Sequence, residues 1–138
     1  MAGLLKHLFG IRIENRPRFQ PGELVAYDAD YPHREYCRVV SLEEYKAKAA
    51  LLTDRVISRI ARVNGRDVRR GKIVCLQYPS GGYGNLPSSV LYRVNPDEAV
   101  EDVTKRYNDE IAAASDYTEE LSQLMEKEIL FVKSSTRH

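Results

Sequence analysis

The residues best placed to do chemistry in this sequence are tyrosines. The stretch YPSGGYGNLPSSVL, residues 78–91, carries Tyr78 and Tyr83 around a run of glycines, with Asn85 two positions on. Tyr27, Tyr31 and Tyr36 cluster around an earlier polar segment, and tryptophan is absent. A ring buried with its hydroxyl at the surface accounts for most such tyrosines. Several rings converging on one recess would instead hold a cation, a peptide or a base. A small ligand, or an enzyme's substrate, at the Gly/Tyr loop 78–85 is a further reading of the same residues.

Other reactive constellations are poorly supplied. His7, His33 and His138 stand at no metal-ligand spacing from one another or from a cysteine. His33 and Cys37 are four apart, but across a loop–strand boundary. Cys37 and Cys75 both lie in apolar runs, which favours buried, reduced and inert thiols. One disulfide between them is the alternative. No nucleophile elbow, phosphate loop or dinucleotide fingerprint is present. The glycines of SGGYGN do not lead into a helix that would offer its N-terminus to phosphate, so they read as a turn. Neither a cofactor nor a metal is expected, and the chain reads as a binding protein rather than an enzyme.

Charge is the second source of function. The chain is nearly neutral at +1, yet residues 54–72 carry seven bases against two acids, Asp54 and Asp67. Arg55, Arg59 and Arg62 share one face if the segment is helical, and Arg66, Arg69, Arg70 and Lys72 extend the patch. Such a patch suits nucleic-acid phosphates or an acidic partner. Residues 97–128 carry eleven acids against three bases. A solvated face is the ordinary fate of such a run. Halves of opposite sign either attract each other or face different partners.

The elements that must position these residues can be read from periodicity and punctuation. A chain of 138 residues fits one domain. Residues 1–18 read as an arm or short helix, with Leu4, Leu5, Leu8, Phe9 and Ile11 as an apolar face that docks on the core or a partner; an organelle-targeting signal or a membrane anchor is the alternative. That arm lacks the features of a secretory signal, no run is long enough to span a membrane, and a cytoplasmic setting is expected.

ELVAYD, residues 23–28, reads as a strand with Leu24 and Ala26 on one face and Val25 and Tyr27 on the other. EYCRVV, residues 35–40, pairs with it across a polar loop. Ser41 to Glu44 has the form of a capping box and opens a helix over about 42–63, ended at Asn64-Gly65. The rival is a β-hairpin turning at Asn64-Gly65. Residues 72–78 read as a central strand, and 90–94 as a last short one. Asn95-Pro96-Asp97 opens a long acidic helix over about 97–128, which Ser115-Asp116 can break or bend. ILFV, residues 129–132, either finishes the helix or forms an edge strand.

The order of these features resembles the Tudor-like small β-barrel group. FQPGELVA (19–26) is similar to that group's opening pattern, YCRVV to its second strand, and Tyr78, Tyr83-Gly84-Asn85 and Leu91–Val94 to its later aromatic-plus-YGN turn. The resemblance implies a barrel over 19–94, interrupted by the helical insertion, with 95–138 as C-terminal helix and tail. It also implies cage walls at Tyr78 and Tyr83, opposed by Tyr27 or Tyr36. The expectation is therefore an α+β protein built on a small bent antiparallel sheet or barrel. Its function is expected to be that of an adaptor or assembly subunit, contacting a protein partner through the tyrosine-lined barrel end and the charged helices.

Overall fold

The structure is a computed structural model that describes residues 18–30, 33–49 and 63–135. It is an α+β protein whose described strands form one five-stranded antiparallel sheet. Strands β1 (Leu24–Asp30), β2 (His33–Val39), β3 (Ile73–Gln77), β4 (Tyr83–Pro87) and β5 (Tyr92–Arg93) lie in the order β4-β3-β2-β1-β5. Helices α1 (Leu42–Ala49) and α2 (Gly65–Arg69) fall between β2 and β3, and α3 (Pro96–Ala113) and α4 (Thr118–Lys133) follow β5.

Connectivity forces the sheet to curl. β4 and β5 are its two edges, yet only residues 88–91 join them, three of those in a 3₁₀ turn. That link reaches about 13 Å, at roughly 2 Å per 3₁₀ residue and about 3.5 Å per extended one. Five flat strands set the edges about 19 Å apart, at about 4.8 Å per gap. The edges therefore bend toward each other, though they do not pair and the sheet stays open.

Period-two alternation sorts the side chains onto its two faces. Val25, Cys37, Val39, Val74, Leu76 and Leu91 form the concave core, with Phe19, Tyr27, Tyr78 and Leu86 against it. Leu24, Ala26 and Tyr36 face the other way, onto Val94, Ala99, Val103 and Val132 of the C-terminal region. A third cluster joins Val40, Tyr45 and Cys75 with Leu42, Val63, Val68 and Tyr83, and so seats α1 and α2 on β3 and β4.

Three expectations need correction. The acidic stretch is two helices rather than one over 97–128. Ala114 leaves helical geometry at ψ 146° and Tyr117 adopts a left-handed conformation at φ 43°, so α4 folds back on α3. That hairpin buries both Val103 and Val132, which one straight helix cannot do. ILFV lies within α4.

Asn64-Gly65 is neither a helix end nor a hairpin turn. Asn64 is the N-cap of α2, its Oδ1 accepting from the Arg66 amide at 2.9 Å. The expected helix over 42–63 is seen as α1, and residues 50–62 lie outside the described residues.

Residues 83–87, read as part of a loop, are strand β4. The reversal occupies Tyr78–Gly82, where Gly81 sits at φ 97° and the Tyr78 amide donates to the Gly82 carbonyl at 2.8 Å. Pro87 lies at the end of this edge strand, opposite Ile73, where a missing amide is tolerated.

Candidate binding site

The tyrosines and Asn85 singled out by sequence divide among three surfaces. Tyr27 and Tyr78 meet on the concave face, packed against the same core cluster. Burial, then the neighbouring Cys37 and Tyr27, pushes the Tyr78 hydroxyl well above the usual phenol value. Its ring presses on β4. A Cβ placed on Gly84 would lie 2.8 Å from the Tyr78 hydroxyl and 2.9 Å from its Cε2, so the glycine of YGN makes room for this ring.

Tyr36 points to the opposite face. It is 1% exposed, and its hydroxyl donates to Asp102 Oδ2 on α3 at 2.6 Å. Burial, reinforced by that carboxylate, raises its pKa strongly. Tyr83 packs with the third cluster and donates to Glu44 Oε2 at 2.9 Å. Asn85 donates from Nδ2 to the Tyr45 hydroxyl at 2.8 Å and so ties β4 to α1. A cage with Tyr78 and Tyr83 as facing walls is not formed, because the register that pairs Tyr83 with Gln77 puts the two rings on opposite faces. Tyr31 lies outside the described residues.

Tyr78 instead borders an open groove of about 540 Å³ where the β3–β4 turn meets the helical hairpin. His33, Glu35, Tyr78, Pro79 and Ser80 line its sheet side, and Arg106, Tyr107, Glu110, Leu124, Lys127 and Glu128 its helical side. The helical wall is fixed from within. Arg106 Nη2 donates to both Glu128 carboxylate oxygens at 2.9 Å, and the Tyr107 hydroxyl donates to the same carboxylate at 3.1 Å. Glu35, Glu110, Leu124 and Lys127 are exposed on this rim, Leu124 at 50%. No known protein family matches the chain, and no curated protein or solved structure is significantly similar to it.

Both thiols are buried, Cys37 on the concave face and Cys75 under α1. Burial pushes Cys37 up to about 12 and Cys75 up to about 11, so neither is a thiolate nucleophile near neutral pH. Among the described residues there is no group of three or more His, Cys, Asp or Glu able to hold a metal, and no helix long and apolar enough to cross a membrane.

The basic residues Arg66, Arg69, Arg70 and Lys72 are exposed together on α2 and the turn after it. Arg55, Arg59 and Arg62 lie outside the described residues. Of the groove's lining, the sequence singled out Tyr78 alone as a ligand-binding residue. Glu35, Tyr107 and Leu124 carry no common motif, and only the docking of α3 and α4 against the sheet end brings them together.

Proposed function

We propose that this is a non-enzymatic binding protein, an adaptor or assembly subunit that receives a segment of a partner protein in the groove between the β3–β4 turn and the α3–α4 hairpin. The groove itself carries this reading. Its volume is in the range of about 300–1,000 Å³ typical of binding sites, and its walls combine tyrosine rings, a half-exposed leucine and carboxylates. Exposed Glu35 and Glu110 beside Leu124, Tyr78 and Tyr107 suit a segment that presents an apolar side chain next to a basic one. A relation to the Tudor-like small barrels belongs to this reading. It is supported by the curled sheet and the short link between its edges.

The test compares two leucines on the same helix. Leu124 lines the groove, whereas Leu130, 67% exposed, does not. In affinity capture from the source organism, Leu124→Asp is expected to lose specific partners that wild type and Leu130→Asp retain. If all three proteins capture the same set, the groove is not the binding site.

A further inference from the structure

We propose that Arg18, Arg66, Arg69, Arg70 and Lys72 form a contact site for the phosphate backbone of a nucleic-acid duplex, separate from the groove. The structure adds Arg18 to the patch. Its guanidinium bonds the Arg69 carbonyl, 51 positions away in sequence, and its own carbonyl accepts from Arg93 Nη2 at 2.8 Å. Gly71, at φ 77°, leaves room for the Arg18 side chain, which a Cβ there would meet at 3.3 Å. Arg18 is thus held from both sides.

Among the described residues, the patch differs from the arginines that close internal ion pairs and helix contacts. Arg38, Arg93 and Arg106 spend their guanidinium groups on internal partners: Gln77 and Phe131, Glu23, and Glu128. The five cations of the patch are exposed, and none has an ion pair among the described residues. Asp67 is the one carboxylate in residues 63–72.

Val63 and Val68 of the same segment turn inward against Cys75 and Tyr45. Residues 63–72 therefore present guanidinium and ammonium groups outward, while Val68 is part-buried and lines only the adjacent recess shared with Phe19 and Leu42. The centre of a protein interface needs an aromatic or aliphatic anchor, and membrane-surface binding needs apolar insertion. A phosphate backbone needs neither, because neutralising phosphates and releasing their counterions supplies the affinity. Segment 63–72 also holds no aromatic ring on which unpaired bases would stack, which favours a duplex over a single strand and predicts little sequence preference.

The experiment is fluorescence anisotropy with a labelled DNA duplex of arbitrary sequence, its single strand and a labelled acidic peptide, titrated over a range of NaCl. The duplex is expected to bind with a log–log salt slope of about −4 to −5, at roughly −0.9 per neutralised phosphate. The double variant Arg66→Gln, Arg70→Gln, with unchanged circular dichroism, is expected to weaken binding and flatten the slope by about 2. Lys133→Gln, on α4, is expected to change neither. No binding at low salt, or a slope and affinity untouched by the double variant, overturns the proposal. Single strand held as tightly as duplex also overturns it, and an acidic peptide held as tightly reassigns the patch to a protein partner.

Discussion

The guanidinium of Arg38 lies 4.3 Å from the centre of the Phe131 ring and donates to that residue's own carbonyl oxygen at 3.0 Å. It also donates to Gln77 Oε1 at 3.1 Å and to the Ser134 hydroxyl, so one side chain of β2 joins β3 to the last turn of α4. A cation there meets the negative end of the helix dipole as well as the ring face. Lysine keeps the charge but cannot stack flat and bond both partners. Arg38→Lys is expected to lower unfolding free energy by about 1–2 kcal/mol, the sum of a partly desolvated cation–π contact and a helix-end interaction. Denaturant titration measures it, and a loss equal to zero would remove Arg38 from the set of residues docking α4.

Gly84 is a packing requirement rather than a turn residue. Adding a methyl group there forces the half-buried Tyr78 ring off the concave core, since the new contact would be 2.8–2.9 Å. Gly84→Ala is expected to cost about 1–3 kcal/mol, the usual range for overpacking. In a double-mutant cycle with Tyr78→Ala the two losses should not add, because the second change removes the atoms that the first one strikes. Additive losses would mean that Gly84 matters for another reason.

The sequence revealed what depended on neighbours in the chain. Leu24 and Ala26 do part from Val25 and Tyr27, because a strand's period of two needs no partner to be read. Ser41 Oγ accepts from the Glu44 amide at 3.1 Å, and Asn95 Oδ1 from the Asp97 amide at 2.8 Å, so both helix starts were legible. Asn64 was misread because asparagine before glycine suits a helix end as well as a start. The break after α3 was only half visible: Ser115-Asp116 marked the place, but Ala114 and Tyr117 are not breakers, and docking on the sheet decides where the chain turns. β4 hid behind its own glycine and proline, whose edge position makes both tolerable. Arg18 and every wall of the groove except Tyr78 were beyond reach, since nothing local links residue 18 to 69 or Glu35 to Leu124.

The Arg106–Glu128 pair should be the main polar lock of the helical hairpin. Its side chains are only 19% and 12% exposed, and Tyr107 donates to the same carboxylate. Removing one partner strands the other in a poorly solvated site, which costs about 3–5 kcal/mol when burial is complete and somewhat less here. Glu128→Ala is therefore expected to destabilise by roughly 2–4 kcal/mol. Replacing both residues by Met and Leu should recover much of that loss. Thermal unfolding of the three proteins checks the order, and a double variant no better than Glu128→Ala would argue against a stranded charge.

Stability should fall on the alkaline side. Cys37 and Cys75 are pushed up from 9.0 to about 12 and about 11, and the hydroxyls of Tyr36 and Tyr78 are raised from 10.0, in each case chiefly by burial. The folded protein then holds these protons where the unfolded chain has released them. Their contribution is complete below the unfolded values and is lost as pH rises through the folded ones. Unfolding free energy is expected to show little slope from these groups below about pH 8, one unit under the unfolded thiol value, and to decline from there through about 11 and about 12. Denaturant midpoints against pH test this, together with tyrosine absorbance. If all nine tyrosines ionise near 10.0 in the folded protein, the buried hydroxyls are not as placed.

Tyr117 is the one described non-glycine residue at positive φ, at 43°, and its side chain is 61% exposed. It therefore bears the left-handed backbone of the α3–α4 turn while burying little in return. A side chain in that conformation costs about 1–2 kcal/mol, which glycine avoids. Glycine adds entropy to the unfolded chain and takes back part of that gain, about 0.5–1 kcal/mol. Tyr117→Gly is thus expected to leave stability unchanged or raise it by up to about 1 kcal/mol. Tyr117→Val, β-branched and ill suited to positive φ, should lower it. The pair separates backbone from side chain. If glycine and valine destabilise equally, the Tyr117 ring and not the turn geometry is what the hairpin needs.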